Sequence, residues 1–322
     1  MKKKILLTKQ IILNMTKELS DFELTIWDEE QDGKLTNDKL KEILPSYDGI
    51  ISMLSDRLDQ ETLKDARELK IISQYAVGFN NIDIDYCQRN NIAVTNTPDV
   101  LSHATAELGF ALLLNLARKV STSSESAKKG HWKGWEPCGH IGRSLRNLKL
   151  GIIGPGRIGR EFTHLCKNAF NHEVFYYSRK RKEDFEEEFS AKFLSLNEMI
   201  EECDVISIHC PLTQETKHLL NKSNLSLMKN DAILINTARG EIINQADLIE
   251  ITKMRKDLSF GLDVTDPEPL KAESPLYSSP NVLITPHIGS ATREARREMG
   301  KIVCKSIKSC FSGDEINNMI SY

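Results

Sequence analysis

Leu150-Gly151-Ile152-Ile153-Gly154-Pro155-Gly156-Arg157-Ile158-Gly159 is the stretch that decides the fold. It reads as a β-strand entering a helix through G-x-G-x-x-G. Gly154 permits the tight turn, Gly156 lets backbone approach a pyrophosphate, and Gly159 lets helix and strand pack closely. The helix N-terminus then offers N–H groups and a positive dipole end to phosphate. Pro155 has no N–H, so the donors begin at Gly156. Gly154, Gly156, Arg157, Ile158 and Gly159 are therefore candidate dinucleotide contacts.

Downstream of the turn the strand pattern recurs. Runs at 149–153, 173–177, 205–209, 232–236, 260–264 and 282–285 are separated by helical stretches. Six such runs predict a full doubly wound dinucleotide domain. Upstream, strand candidates at 49–54, 70–74 and 93–96 alternate with helical patterns at 59–68 and 83–90, which predicts a second parallel sheet. The apolar start, Ile5-Leu6-Leu7, is broken by Lys9 and Gln10 with no small-residue cleavage site after it, and reads as a first strand. A long apolar-rich helix is expected over 99–120, N-capped by Asp99. Residues 121–147 show no periodicity and are expected to be a loop that is functional, disordered or swapped onto a partner. A final helix is expected over 291–311.

Composition bounds the function. The 322 residues suit two domains. A net charge of −3 excludes a strongly basic nucleic-acid or membrane surface, and no apolar run is long enough to span a bilayer. Seven cysteines without framework spacing fit a reducing, cytoplasmic setting. Asp28–Gly33 mimics an EF-hand start, but Lys39 stands where a bidentate acid belongs, so no metal is expected.

The second predicted strand of the later sheet ends in Tyr177-Ser178-Arg179-Lys180-Arg181-Lys182. NAD enzymes place an acid there for the ribose hydroxyls. A hydroxyl and a basic cluster suit a 2′-phosphate instead. Ser178, Arg179 and Lys180 thus point to NADP(H), with NAD(H) as the alternative.

Six runs carry a resemblance, the glycine turn among them: 74–83 (Gln-Tyr-Ala-Val-Gly-Phe-Asn-Asn-Ile-Asp), 96–101 with 104–107, the glycine turn, 236–240 (Asn-Thr-Ala-Arg-Gly), 261–270 and 286–290 (Pro-His-Ile-Gly-Ser). On these the chain resembles the D-isomer-specific 2-hydroxyacid dehydrogenase family, and within it the glyoxylate/hydroxypyruvate reductases. The resemblance implies two doubly wound α/β domains. Residues 1–98 plus 289–322 would be a flavodoxin-like substrate domain, and 99–288 a Rossmann cofactor domain, with hinges at the junctions. It implies a catalytic Arg239, Glu268 and His287. His287 would donate the proton, since imidazole titrates near neutral pH. Glu268 would bond to that ring, and Arg239 would hold the substrate carboxylate. Ala76, Val77 and Gly78 would clasp the carboxylate from the other domain. Thr105, Pro211, Thr237, Ala238, Asp263 and Gly289 match family cofactor contacts. The D-configuration of the product is implied in the same way.

The 121–147 segment resembles the family's dimerisation arm, with Trp132 and Trp135 as interface anchors and a homodimer as the consequence. Within the family, D-lactate, 2-ketogluconate and phosphoglycerate dehydrogenases stay open as alternatives; formate enzymes carry Gln where Glu268 stands. Outside catalysis, a dinucleotide-sensing corepressor on the same fold is the rival.

Overall fold

The computed structural model describes residues 1–320. The last two residues of the expected 289–322 tail lie outside them. Backbone contacts divide the chain into two compact units: Met1–Leu101 together with the segment from Ser290 onward, and Ser102–Gly289.

The first unit holds β1 (Lys4–Leu7), β2 (Glu23–Ile26), β3 (Gly49–Ser52), β4 (Ile71–Gln74) and β5 (Ala93–Thr95). Their order is β2-β1-β3-β4-β5, every pair parallel. This is the flavodoxin-like order. β3 and β4 are buried along their whole length, as central parallel strands covered on both faces must be.

The second unit holds β6 (Lys149–Ile153), β7 (Glu173–Tyr177), β8 (Lys192–Phe193), β9 (Val205–Ile208), β10 (Ile233–Asn236), β11 (Ser259–Leu262) and β12 (Val282–Ile284). The order is β12-β11-β10-β9-β6-β7-β8, again wholly parallel. This is the Rossmann order with one added strand. Two apolar clusters cover its faces, one around Ile206, Leu234 and Phe260, the other around Leu113, Ile152, Phe162 and Tyr176. The order reverses beside β6, so the β6 and β9 C-terminal ends open a crevice there.

Several expectations shift. The helix expected over 99–120 spans Ser102–Arg118. Asp99 has a left-handed φ of 69°, not the extended backbone of an N-cap, so the helix starts three residues later. Lys119, with φ 55°, ends it, and a second helix, Val120–Lys128, occupies the start of the expected loop. That helix has no buried residue, so it has no periodicity to read. Asn115 initiates it by accepting the Ser121 N–H. The helix expected over 59–68 is one turn, Gln60–Leu63, capped by Asp59. The final helix spans Arg293–Ser312 because Thr292 caps it. β2 and β8 were not expected; both are edge strands with no fully buried residue, and β8 is two residues long. Among the described residues no helix is long and apolar enough to cross a membrane.

Candidate active site

The glycine turn leaves β6 with Gly154 at φ 85°, its N–H bonded to the Tyr177 carbonyl at 2.9 Å. A β-carbon on Gly154 would lie 2.7 Å from Cys210 backbone, and one on Gly159 would lie 2.8 Å from the Gly154 oxygen. Neither position admits a side chain. At Gly156 a β-carbon would meet nothing within 4 Å. The turn is therefore closed toward β9 and open outward. Gly156 caps the Arg157–Phe170 helix without a side-chain bond, so no side chain competes for that helix start. An open backbone face at the start of a fourteen-residue helix fits a pyrophosphate. Ile158 is half-buried and Arg157 exposed.

Arg239, Glu268 and His287 follow β10, β11 and β12, at their C-terminal ends. Glu268 Oε1 lies 2.5 Å from His287 Nδ1. That contact occupies Nδ1 and leaves Nε2 as the ring's other proton-carrying atom. The Arg239 side chain is half-buried. Burial pulls its pKa down from the usual value, and the carboxylates of Glu268 and Glu241 oppose that shift. Arg239 Nη1 donates to the Ala238 carbonyl at 2.7 Å.

The loops that carry these groups are tightly specified. Asn236 Nδ2 donates to the Arg239 carbonyl at 2.8 Å, and its Oδ1 accepts the Ala238 N–H at 3.0 Å. A β-carbon on Gly240 would lie 2.1 Å from the Thr265 carbonyl carbon and oxygen. Hence the Arg239 loop rests directly on the backbone that leads to Glu268. His287 has a left-handed φ of 53°, a conformation an ordinary L-residue keeps only when its surroundings hold it. Buried Asp263 does the holding. Its carbonyl accepts the His287 N–H at 2.9 Å, Oδ1 accepts Thr285 Oγ1 at 2.6 Å and the Ile288 N–H at 2.8 Å, and Oδ2 accepts the Gly289 N–H at 2.8 Å. Burial pushes the Asp263 carboxyl pKa up, and those three donors oppose the shift.

Thr105, Asp263 and Gly289 come together. A β-carbon on Gly289 would sit 3.2 Å from Asp263 Oδ2 and 3.3 Å from Thr105 Cγ2. Thr237 is buried and its Oγ1 has no partner, the kind of orphan hydroxyl that a polar ligand satisfies. Pro211 is exposed past β9, its carbonyl accepting Thr216 Oγ1. Ser178 donates to the Lys180 carbonyl at 2.5 Å; Arg179 and Lys180 are exposed, and neither joins an ion pair among the described residues.

In the first unit Gln74 Nε2 donates to the Gly78 carbonyl and Asn96 Nδ2 to the Val77 carbonyl. Thr97 N–H donates to the Ala76 carbonyl. These bonds turn the carbonyls inward. Among the described residues neither the Val77 nor the Gly78 N–H is bonded, so both suit an anionic acceptor.

Sequence reasoning quoted Asn236, Gly240 and Gln74 within its motifs but assigned none of them a supporting role. The signal available was a polar residue inside an apolar strand. Asn236 and Gln74 are both wholly buried at strand ends. Gly240 gave no signal, because its neighbour is twenty-five positions away.

Residues 110–289 match the family described as D-isomer specific 2-hydroxyacid dehydrogenase, NAD binding domain. The glyoxylate reductase of Thermococcus litoralis is 40% identical, the match covering 100% of this chain and 97% of that protein. That of Pyrococcus furiosus is 41% identical over 95% of this chain and 92% of its own. Among solved structures, the TT0316 protein from Thermus thermophilus superposes with a TM-score of 0.91 at 37% identity, covering 99% of this chain and 100% of that one.

Proposed function

This chain belongs to the D-isomer specific 2-hydroxyacid dehydrogenases, and from that premise we propose that it reduces a small 2-keto acid of the glyoxylate and hydroxypyruvate class to the D-2-hydroxy acid. It is an oxidoreductase with a nicotinamide dinucleotide cofactor. When bound, the reduced nicotinamide supplies the hydride to the keto carbon.

The observation that carries this reading is the Glu268–His287 contact, with the half-buried Arg239 close enough to Glu268 to feel its charge. Glu268 fixes the imidazole at Nδ1, so Nε2 delivers the proton to the keto oxygen as the alcohol forms. Arg239 binds the substrate carboxylate with a planar fork and draws electron density from the neighbouring carbonyl. Thr105, Thr237 and Gly289 are assigned to the cofactor side of this cluster, with Ala238 and Pro211. The unit 102–289 is the proposed cofactor domain, and the unit with Val77 and Gly78 the proposed substrate domain.

We assign NADPH as the preferred donor. No acid ends β7, and Arg179 and Lys180 stand exposed there. Trp132 and Trp135 are 77% and 86% exposed, which supports an arm that is covered by a second subunit. All seven cysteines are free thiols, in keeping with a reducing cytoplasm.

The test is a panel of 2-keto acids assayed with NADPH and NADH. Turnover of glyoxylate or hydroxypyruvate is expected, and His287→Ala should lower kcat by ~10²–10⁴-fold. Near-normal turnover in that variant removes the mechanism. Tight cofactor binding without any turnover in the panel favours the sensor reading. A tenfold preference for NADH, in kcat/KM, would sink the cofactor assignment.

A further inference from the structure

The basic run after β7 is not uniform. Four consecutive cations, Arg179 to Lys182, follow Ser178, yet the structure treats them differently. Arg181 lies side-on against Glu186: Nε is 2.8 Å from Oε1, and Nη2 is 2.7 Å from Oε2. The same Oε1 accepts the Tyr176 hydroxyl at 2.5 Å. That hydroxyl in turn accepts the Lys182 N–H at 2.8 Å. Tyr176 is a wholly buried residue of β7, its ring 5.3 Å from those of Phe185 and Phe193. One immobile phenol therefore ties the start of the loop, the end of the loop and the Arg181 counter-ion together.

Glu186 is itself anchored. It sits on the Glu183–Phe189 helix, and Arg160 bridges Asp184 and Glu188 of that helix. Arg160 belongs to the Arg157–Phe170 helix that begins at the glycine turn. The loop after β7 and the phosphate-facing helix are thereby held by one set of charges. The pairing with Arg181 and the Tyr176 hydroxyl holds the Glu186 carboxyl well down, at about 2, so the clamp stays ionised at neutral pH.

We propose that Tyr176, Glu186 and Arg181 form a clamp that sets cofactor specificity: it withdraws Arg181 from the phosphate ligands and fixes the backbone that presents Ser178, Arg179 and Lys180 to a 2′-phosphate. The proposal rests on the NADPH reading above. None of the three clamp residues touches reacting atoms; they are positioning residues. Their substitution should change discrimination between the two cofactors and not the chemical step.

The experiment reads binding, not turnover. Adenosine 2′,5′-bisphosphate and 5′-AMP are titrated calorimetrically into the wild-type chain and into Glu186→Gln, Tyr176→Phe, Arg181→Ala and the Glu186→Gln/Arg181→Ala double variant. The wild type should prefer the bisphosphate by roughly tenfold or more, as one charge-assisted contact implies. Each single variant should lose most of that preference, about fivefold, with 5′-AMP affinity held within about twofold. The double variant should be no worse than either single one, because both delete the same pair. Tyr176→Phe keeps the packed ring, so it reports the hydrogen bonds even if a charge variant folds poorly.

Three results overturn the inference. Glu186→Gln could raise the preference while Arg181→Ala lowers it, which makes Arg181 a direct ligand. Affinity for both nucleotides could fall together, which makes the clamp merely structural. All variants could retain the wild-type preference. A wild type that does not discriminate at all refutes the NADPH reading first, and the clamp with it.

Discussion

Replacing Gly240 by alanine adds one methyl group where the loop carrying Arg239 meets the loop leading to Glu268. The added carbon would lie 2.1 Å from the Thr265 carbonyl carbon and oxygen and 2.7 Å from the Asp266 nitrogen. Real β-carbons essentially never approach within 3.0 Å, so the loops must part by about 1 Å. Both neighbours are backbone, which cannot swing aside as a side-chain tip can. Arg239 is the residue before Gly240, and Glu268 follows Thr265 by three positions. The displacement is therefore delivered to the guanidinium proposed to hold substrate and to the carboxylate bonded to His287. A misplacement of ~1 Å costs about 10²-fold in rate, or roughly 2.7 kcal/mol of barrier. Overpacking adds a stability loss of ~1–3 kcal/mol. The assay is kcat/KM for glyoxylate with NADPH, alongside cofactor binding by nicotinamide fluorescence and the thermal midpoint. The expected pattern is a kcat/KM near one-hundredth of wild type, cofactor binding retained and a lowered midpoint. A folded Gly240→Ala enzyme within threefold of wild-type kcat/KM would show that the loop contact does not position the site.

Asp263→Asn keeps the shape but turns an amide N–H toward the Gly289 N–H, now bonded to Oδ2 at 2.8 Å. The lost acceptor should cost about 1–3 kcal/mol in urea unfolding and lower kcat, because the same carboxylate holds the His287 loop; unchanged stability would contradict that role. Light scattering should give a two-chain mass for the wild type and a one-chain mass for Trp132→Ala/Trp135→Ala; a one-chain wild type at micromolar concentration ends the dimer proposal. Burial drives the His209 pKa down to about 3 and lowers that of His172 in the same way. A folded-state pKa below the unfolded ~6.5 means stability present above pH 6.5 and lost as pH falls toward 3, at up to about 1.4 kcal/mol per unit per histidine. Urea midpoints at pH 7.5 and 5.0 should show this slope, reduced in His209→Asn; equal slopes in the two proteins would remove His209 as its source.

The readable parts of this chain were those coded locally. The boundaries of β6 and β7 match their apolar runs because a strand buried on both faces needs a continuous run of apolar and aromatic residues, and the charged Lys149 and Glu173 that open the two strands are less buried than the residues after them. The glycine turn was legible from its local spacing between strand and helix, although the contact that excludes a side chain at Gly154 is with the distant Cys210 backbone. Helix starts were less so. Thr292 shifts the last helix because its hydroxyl competes for the Ala295 N–H, and Lys119 breaks a helix through a left-handed turn that no side-chain pattern announces.

By itself the sequence determined two parallel sheets and a glycine turn of dinucleotide type; the roles of acid, anchor and counter-ion came with the family resemblance and stand as proposals. The sequence placed Arg239, Glu268 and His287 after strands, and only the family resemblance, not the residues themselves, implied that Glu268 would meet His287. Only the tertiary structure decided that Glu268 reaches His287 Nδ1, that Asp263 holds His287 in a left-handed conformation, and that Glu186 claims Arg181 from the basic run. The physical reason is one of range. Strand burial and turn chemistry act within a few residues, whereas the Glu268–His287 and Asp263–His287 contacts join groups brought together by parallel crossovers; Arg181 and Glu186 are only five positions apart, but their pairing depends on how the loop after β7 and the helix behind it fold back on the buried Tyr176.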